Sequence, residues 1–233
     1  MRGRAYPEDT AVATAVATVV ARLNANVAYR RLFTAAFGGA TPVSAVNLGR
    51  ALATFQRSLT ANQSPFDRYM RGDGSAMTAA QQRGTRRFER VGCVNCHSGP
   101  MFSDFKLHVL GVPDHPRLAE SDTGAENDGA KTYQFRTASL RNVELTAPYM
   151  HSGIFRTLED VLEFYDDVDS RNGRDRNVNV SREQLDPLLR RLRGVDEDDQ
   201  DLIAFLGALT DRSYDRTIPD RVPSGLAVGG RIQ

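Results

Sequence analysis

A mostly α fold, with long irregular loops and a helical N-terminal lead-in, is what this sequence predicts, and three observations carry that expectation. Apolar side chains recur at helical spacing from Val12 to Val91 and again beyond Thr157. Between Gly99 and Thr157 that period disappears, and Gly, Pro, Asp and Asn dominate. The chain is 233 residues long with 40% hydrophobic and 25% charged residues, a composition ordinary for a globular protein able to bury a core of its own.

The elements follow in order. Val12, Val16, Val19, Val20 and Leu23 place a first helix over Thr10–Asn24. Tyr29, Leu32, Phe33 and Phe37 continue into a second, stopped by Gly38-Gly39. Thr41-Pro42 reads as an N-cap with proline at the first helical position, opening a third helix that carries Val46, Leu48, Leu52, Phe55 and Leu59. Ser64-Pro65-Phe66-Asp67 opens a short helix ended by Gly72-Asp73-Gly74, and Thr78 caps the next, which runs through Gly84 and Phe88 to Gly92. After the irregular stretch, helices are expected at Thr157–Asp166, Ser181–Leu192 and Asp196–Leu209, with a surface tail from Ile218 onward. These elements divide into a helical lead-in over residues 1–74, a main domain over 75–215 and an extended tail over 216–233. An ordered irregular stretch as long as 99–157 usually wraps something functional.

Several function classes drop out. No apolar run reaches the ~18 residues a membrane span needs. A net charge of +1 provides no general field for nucleic acid or anionic lipid. The abundance of Arg over Lys reflects coding bias, because acidic residues balance it. The two cysteines, Cys93 and Cys96, exclude a multi-disulfide scaffold. Met1-Arg2-Gly3-Arg4 is basic, but Tyr6-Pro7-Glu8-Asp9 stands where the apolar part of a secretory signal belongs, so the sequence read literally is cytoplasmic.

One motif contradicts that literal reading. Cys93-Val94-Asn95-Cys96-His97 has the C-x-x-C-H spacing of covalent haem attachment. Two thiols add to the two porphyrin vinyl groups, and the adjacent imidazole meets the iron as proximal ligand. A redox disulfide would need a βαβ context, whereas the flanks here are helical. A zinc site would need a fourth ligand from His108, His115 or His151, with no second cysteine pair to help. Haem c matures outside the cytoplasm in bacteria, so a periplasmic location and an N-terminal truncation are expected. For the sixth iron ligand the side chains available are Met101, Lys106, His108, His115, Met150, His151 and Tyr165. Met101 and Lys106 lie so close to Cys96 that they would have to double back over the ring, and spacing does not choose among the others.

Several further stretches accompany this motif. They are Ala51–Leu59, Ser64–Tyr69, Gly92–Pro100, Phe135–Gly153, Thr157–Tyr165 and Asp201–Thr210. Together they resemble the C-terminal haem domain of bacterial di-haem cytochrome c peroxidases, particularly the MauG-like branch, over Asn24 to Gly230. The resemblance implies a cytochrome-c-like haem domain with His97 as proximal ligand and Tyr165 as distal ligand, where ordinary di-haem peroxidases carry Met. A phenolate ligand stabilises ferric iron and lowers the potential. Met150 stands where the family usually has Phe and is expected to pack near the haem.

The resemblance also implies a Ca2+ ion between two haems, held partly by backbone carbonyls at positions matching Thr146 and Pro148. A partner asparagine from another domain would complete it. The acidic loop Glu120–Asp128 lacks the spacing of a calcium-binding loop and reads as solvated. Arg136 and Arg141 are candidates for the haem propionates, since a guanidinium fork suits a carboxylate. His108 and His151 read as hydrogen-bonded structural histidines. Glu8 could be the remnant of a glutamate that serves the peroxide-binding haem in the family.

Family members carry a second C-x-x-C-H, and usually a tryptophan between the haems. This sequence has one such motif and no Trp. The expectation is therefore a haem c electron-transfer domain of a di-haem peroxidase or MauG-like oxidoreductase. Hydrogen peroxide would be reduced at another haem, and a small cytochrome c, a cupredoxin or a protein substrate would be the redox partner. The other reading is a stand-alone single-haem electron carrier without peroxidase activity.

Overall fold

The computed structural model describes residues 9–125, 132–169, 177–195, 199–213 and 218–228. Seven α-helices and one two-stranded sheet make it mostly α among the described residues. None of these helices is long and apolar enough to cross a membrane. Glu8 lies outside the described residues. The chain divides into two compact units, Met1–Thr60 with Tyr214–Gln233, and Ala61–Ser213.

The first unit holds α1 (Asp9–Ala25), α2 (Val27–Phe37) and α3 (Ala45–Ser58). Asn26 separates the first two and caps the second, its side chain accepting from the N–H groups of Ala28 and Tyr29. Gly38, at φ 61°, ends that helix, as the Gly38-Gly39 pair leads one to expect. The cap of α3 is Ser44 rather than Thr41: its hydroxyl accepts from Asn47, while Asn47 itself donates to the Pro42 carbonyl. Asn26 also donates to the carbonyl of Pro223, so the C-terminal tail packs with these helices.

In the second unit, α4 (Pro65–Met70) and α5 (Ala79–Val91) both begin with capping boxes, at Ser64/Asp67 and Thr78/Gln81. Gly92 closes α5 in the left-handed region at φ 97°, turning the chain directly into Cys93. Helix α7 (Gln200–Ala208) crosses α5 closely enough that a Cβ on Gly84 would lie 1.8 Å from the carbonyl oxygen of Asp201. Around this crossing Phe66, Phe88, Phe102 and Phe205 meet mostly edge to face, with centroids 5.0 to 6.3 Å apart. Helix α6 (Leu158–Asp169) brings Leu158, Leu162 and Phe164 into the same core.

Two further features differ from expectation. The segment expected as a helix over Ser181–Leu192 is a run of turns followed by a 3-10 helix, Pro187–Arg191. Pro187 has no N–H for an α-helical bond, and Asp186 caps a fresh start by accepting from Leu188. The irregular middle contains β1 (Leu107–His108) and β2 (Phe135–Arg136), paired antiparallel with His108 opposite Phe135.

Candidate functional site

The helix-to-loop transition at Gly92 delivers Cys93, Cys96 and His97 to the wall of a cavity of about 410 Å3. That size falls within the ~300–1,000 Å3 typical of cofactor pockets. Facing side chains come from between Phe88 and Leu206 of the second unit, with Leu110, Val143, Met150, Leu162, Tyr165 and Leu206 giving a largely apolar lining. Each short element has a reason to be there: the 3-10 turn Cys93–Asn95 is closed by the Cys96 and His97 N–H groups, both donating to the Cys93 carbonyl.

His97 is oriented by the loop that follows it. Its Nδ1–H donates to the Phe102 carbonyl at 2.9 Å, which leaves Nε2 with its lone pair. Burial pushes the imidazole pKa down, so the ring is held neutral. Burial likewise pushes the Cys93 thiol up to about 12 and the Cys96 thiol up to about 11. An activated redox dithiol has the opposite character, a thiol pKa lowered by positive neighbours. No group of three or more His, Cys, Asp or Glu side chains is arranged to hold a metal ion among the described residues, so the zinc reading gains nothing. Two uncharged thiols, a neutral imidazole in the Nδ1–H tautomer and a largely apolar chamber fit a covalently attached haem.

The candidates for a sixth ligand separate. Tyr165, Met150 and His151 line the cavity. Burial, with the cysteine thiols adding to it, pushes the Tyr165 phenol well up. Met101, Lys106 and His115 are not among the lining residues. His108 lines the cavity, but both its ring nitrogens are engaged, Nδ1 with Asp186 at 2.7 Å and Nε2 with Asp104 at 3.0 Å. It is the hydrogen-bonded structural histidine expected. His151 differs from that expectation: it stacks on Phe135 with centroids 3.5 Å apart, and its buried Nε2 has no partner.

The two arginines also part company. Arg136, on β2, lines the cavity and lies over the Phe105 ring at 4.8 Å. Arg141 is not a lining residue. Its guanidinium grips both Asp67 oxygens at 2.9 Å and the carbonyls of Ala61 and Pro100, so it is spent on protein groups rather than presented to a propionate. Thr146 and Pro148 line the cavity and are solvent-exposed.

Residues that sequence reasoning passed over matter as much. Phe102 supplies the acceptor for His97, Asp104 and Asp186 hold His108 from opposite sides, and Asp67 holds Arg141. The Asp186-Pro187 pair carried a readable cap signal. The Asp186–His108 and Asp67–Arg141 pairs lie 78 and 74 positions apart, too far for spacing to reveal.

With this geometry in place, comparison with known proteins gives the family. The chain matches the family described as di-haem cytochrome c peroxidase over residues 5–75. It is 35% identical over 202 residues to the methylamine utilization protein MauG of Methylorubrum extorquens, covering 86% of this chain and 54% of that protein.

The chain belongs to the di-haem cytochrome c peroxidase and MauG family.

Cytochrome-c peroxidase IdrP1 of Pseudomonas sp. (strain SCT) is 36% identical over 193 residues, covering 69% of this chain and 48% of the relative. Among solved structures, a MauG-like protein associated with microbial copper homeostasis superposes with a TM-score of 0.66 at 30% identity, over 85% of this chain and 63% of that one. The chain thus spans about half the length of the curated relatives it matches.

Proposed function

We propose that this chain is a haem c-binding electron-transfer domain of a peroxidase or MauG-like oxidoreductase. Cys93 and Cys96 would anchor the porphyrin, and His97 and Tyr165 would provide the axial ligands. The observation that carries the reading is His97: half-buried in the wall of a largely apolar cavity, held neutral, and fixed through Nδ1–H to the Phe102 carbonyl, which makes Nε2 the nitrogen that carries the lone pair. When bound, the haem supplies one-electron redox chemistry.

The chain's own residues do the remainder. The Phe102 carbonyl fixes the imidazole tautomer and ring direction and raises its basicity as a ligand. Tyr165 lies on α6 in the same cavity, where its surroundings push the phenol pKa up and hold the proton; bound iron would be the positive charge that favours the phenolate. The largely apolar lining offers the porphyrin faces a surface that would be better buried than left to water. Arg136 remains the candidate for a propionate, and the Thr146 and Pro148 carbonyls remain candidates for Ca2+, which would need ligands beyond these two.

With His97 and Tyr165 both holding the iron, no position on it would be left for peroxide, and hydrogen peroxide would react elsewhere in the intact enzyme. Electrons would arrive from a small cytochrome c or cupredoxin, or from a protein substrate. Covalent haem attachment places such a protein in the periplasm.

The test is the ferric spectrum of the haem-loaded chain before and after mixing with hydrogen peroxide. Low-spin, six-coordinate iron that is reducible in a single one-electron wave and unchanged by peroxide is expected. High-spin iron that consumes peroxide would make this the peroxide site and overturn the assignment.

A further inference from the structure

Arg141 is not among the residues lining the cavity, yet it sits within a continuous chain of contacts that ends on His97. The chain begins at the capping box of α4. Buried Ser64 accepts from the Asp67 N–H at 3.2 Å, and the Asp67 carboxylate receives the Ser64 N–H at 3.1 Å and hydroxyl at 2.7 Å. The same carboxylate takes the Arg141 fork, one oxygen to each Nη at 2.9 Å. Arg141 Nε–H then donates to the Pro100 carbonyl at 2.6 Å.

Three consecutive carbonyls are fixed in this way. Pro100 is held by Arg141, Met101 by the Ser139 hydroxyl at 2.7 Å, and Phe102 receives His97 at 2.9 Å. Ser139 is tied to the same guanidinium residue, because its hydroxyl accepts the Arg141 backbone N–H at 3.2 Å. Phe102 has φ 50°, a left-handed conformation that costs a non-glycine residue on the order of 1–3 kcal/mol and persists only where surroundings enforce it. Its ring is enclosed by Phe66, Phe88 and Phe205 on one side of that constraint, and the Arg141–Ser139 pair supplies the other.

We propose that Arg141, seated on Asp67, is a positioning residue for the proximal ligand: it fixes the 100–102 loop so that the Phe102 carbonyl receives the His97 Nδ1–H. The proposal rests on His97 being the haem ligand. Loosening the Pro100 contact frees the strained Phe102 to relax and lengthens its bond to His97. The imidazole then becomes a weaker donor, ferric iron loses stabilisation, and the reduction potential rises.

The experiment compares the haem-loaded parent with Arg141→Gln, Asp67→Asn and Arg141→Lys. Met77→Ala serves as a destabilised control, since Met77 is buried in the core but does not line the cavity. Potentiometric titration and ferric EPR are read alongside thermal stability. Arg141→Gln and Asp67→Asn are expected to shift the redox equilibrium toward ferrous iron by on the order of tenfold, as outer-shell changes do. That factor corresponds to about 59 mV for a one-electron couple. Arg141→Lys is expected to move in the same direction by less, and Met77→Ala to lose stability with its potential and g-values unchanged.

Arg141→Gln and Asp67→Asn proteins that lose stability but keep the parent's potential and EPR would overturn the proposal and leave the pair a structural brace. If Arg141→Gln does not fold, Asp67→Asn and Arg141→Lys decide by the same criterion. A parent chain carrying no thioether-bound haem would instead overturn the haem reading on which the proposal rests.

Discussion

The Nδ1 atom of His97 and the carbonyl oxygen of Phe102 lie 2.9 Å apart, five residues distant in the chain and one tight loop apart in space. This bond decides which imidazole nitrogen can meet a metal, because only one nitrogen of a neutral ring carries a proton. Tyr165 lines the same cavity from α6, so one helix terminus, one loop and one helix face converge on it.

Replacing Tyr165 with Phe removes the proposed oxygen ligand while keeping the ring. The ferric optical and EPR spectra are expected to change and the potential to rise, since phenolate favours ferric iron. A Tyr165→Phe protein with the parent's spectra would pass the role to Met150 or His151, which line the same cavity.

The crossing of α5 and α7 depends on Gly84, where an added Cβ would lie 1.8 Å from a backbone oxygen of Asp201. Backbone cannot swing aside as a side chain can, so Gly84→Ala is expected to cost about 3 kcal/mol, the upper end of overpacking losses. Urea denaturation of the haem-loaded protein measures it. A loss under about 0.5 kcal/mol, the range of neutral surface changes, would mean the helices are not packed this closely.

His108 is a clamp between the loop following the cysteines and the start of the 3-10 helix at Pro187. It bonds Asp104 and Asp186, and the Asp104 N–H donates to the Cys96 carbonyl at 2.8 Å. Truncation to Ala leaves two largely buried carboxylates without their shared partner. The expected cost is about 3 kcal/mol, read from the shift in denaturation midpoint.

These partnerships mark the limit of what the sequence disclosed. Helices whose ends carry their own chemistry were readable: Ser64 and Thr78 cap where expected, and Gly92 ends α5 in the left-handed region. The C-x-x-C-H spacing was readable too, because a motif needs no knowledge of the fold, and Tyr165, proposed on resemblance, lines the same cavity as the motif. Strands β1 and β2 were not, since two residues each are too few for any period to appear. Arg141 meets a related limit. Its residue type suits a propionate, but an aspartate 74 positions away already holds it, and local pattern carries no trace of that pairing.

Asp67 makes the acid response predictable. Burial alone would raise its carboxyl, but hydrogen bonds from Arg141 and Ser64, with the guanidinium charge, hold it below the usual carboxylate range. A carboxyl whose folded pKa is depressed stabilises the fold above its unfolded value, about 3.9, and loses that contribution as pH falls through the folded value. The parent is therefore expected to lose stability steeply below about pH 4. Asp67→Asn, less stable at neutral pH, should close the gap with the parent as pH falls. Denaturation midpoints of the two proteins that remain equally far apart from pH 7 to pH 2 would contradict this.

The account stands or falls on covalent haem at Cys93 and Cys96. The direct measurement is a pyridine haemochrome spectrum of protein from a host competent in haem c maturation, taken after acid–acetone extraction. A c-type band that stays with the polypeptide, and disappears from the Cys93→Ala/Cys96→Ala double variant, is the predicted result. Haem that extracts into the solvent, or a parent chain with no haemochrome at all, would contradict the assignment and return the cavity to an unassigned pocket.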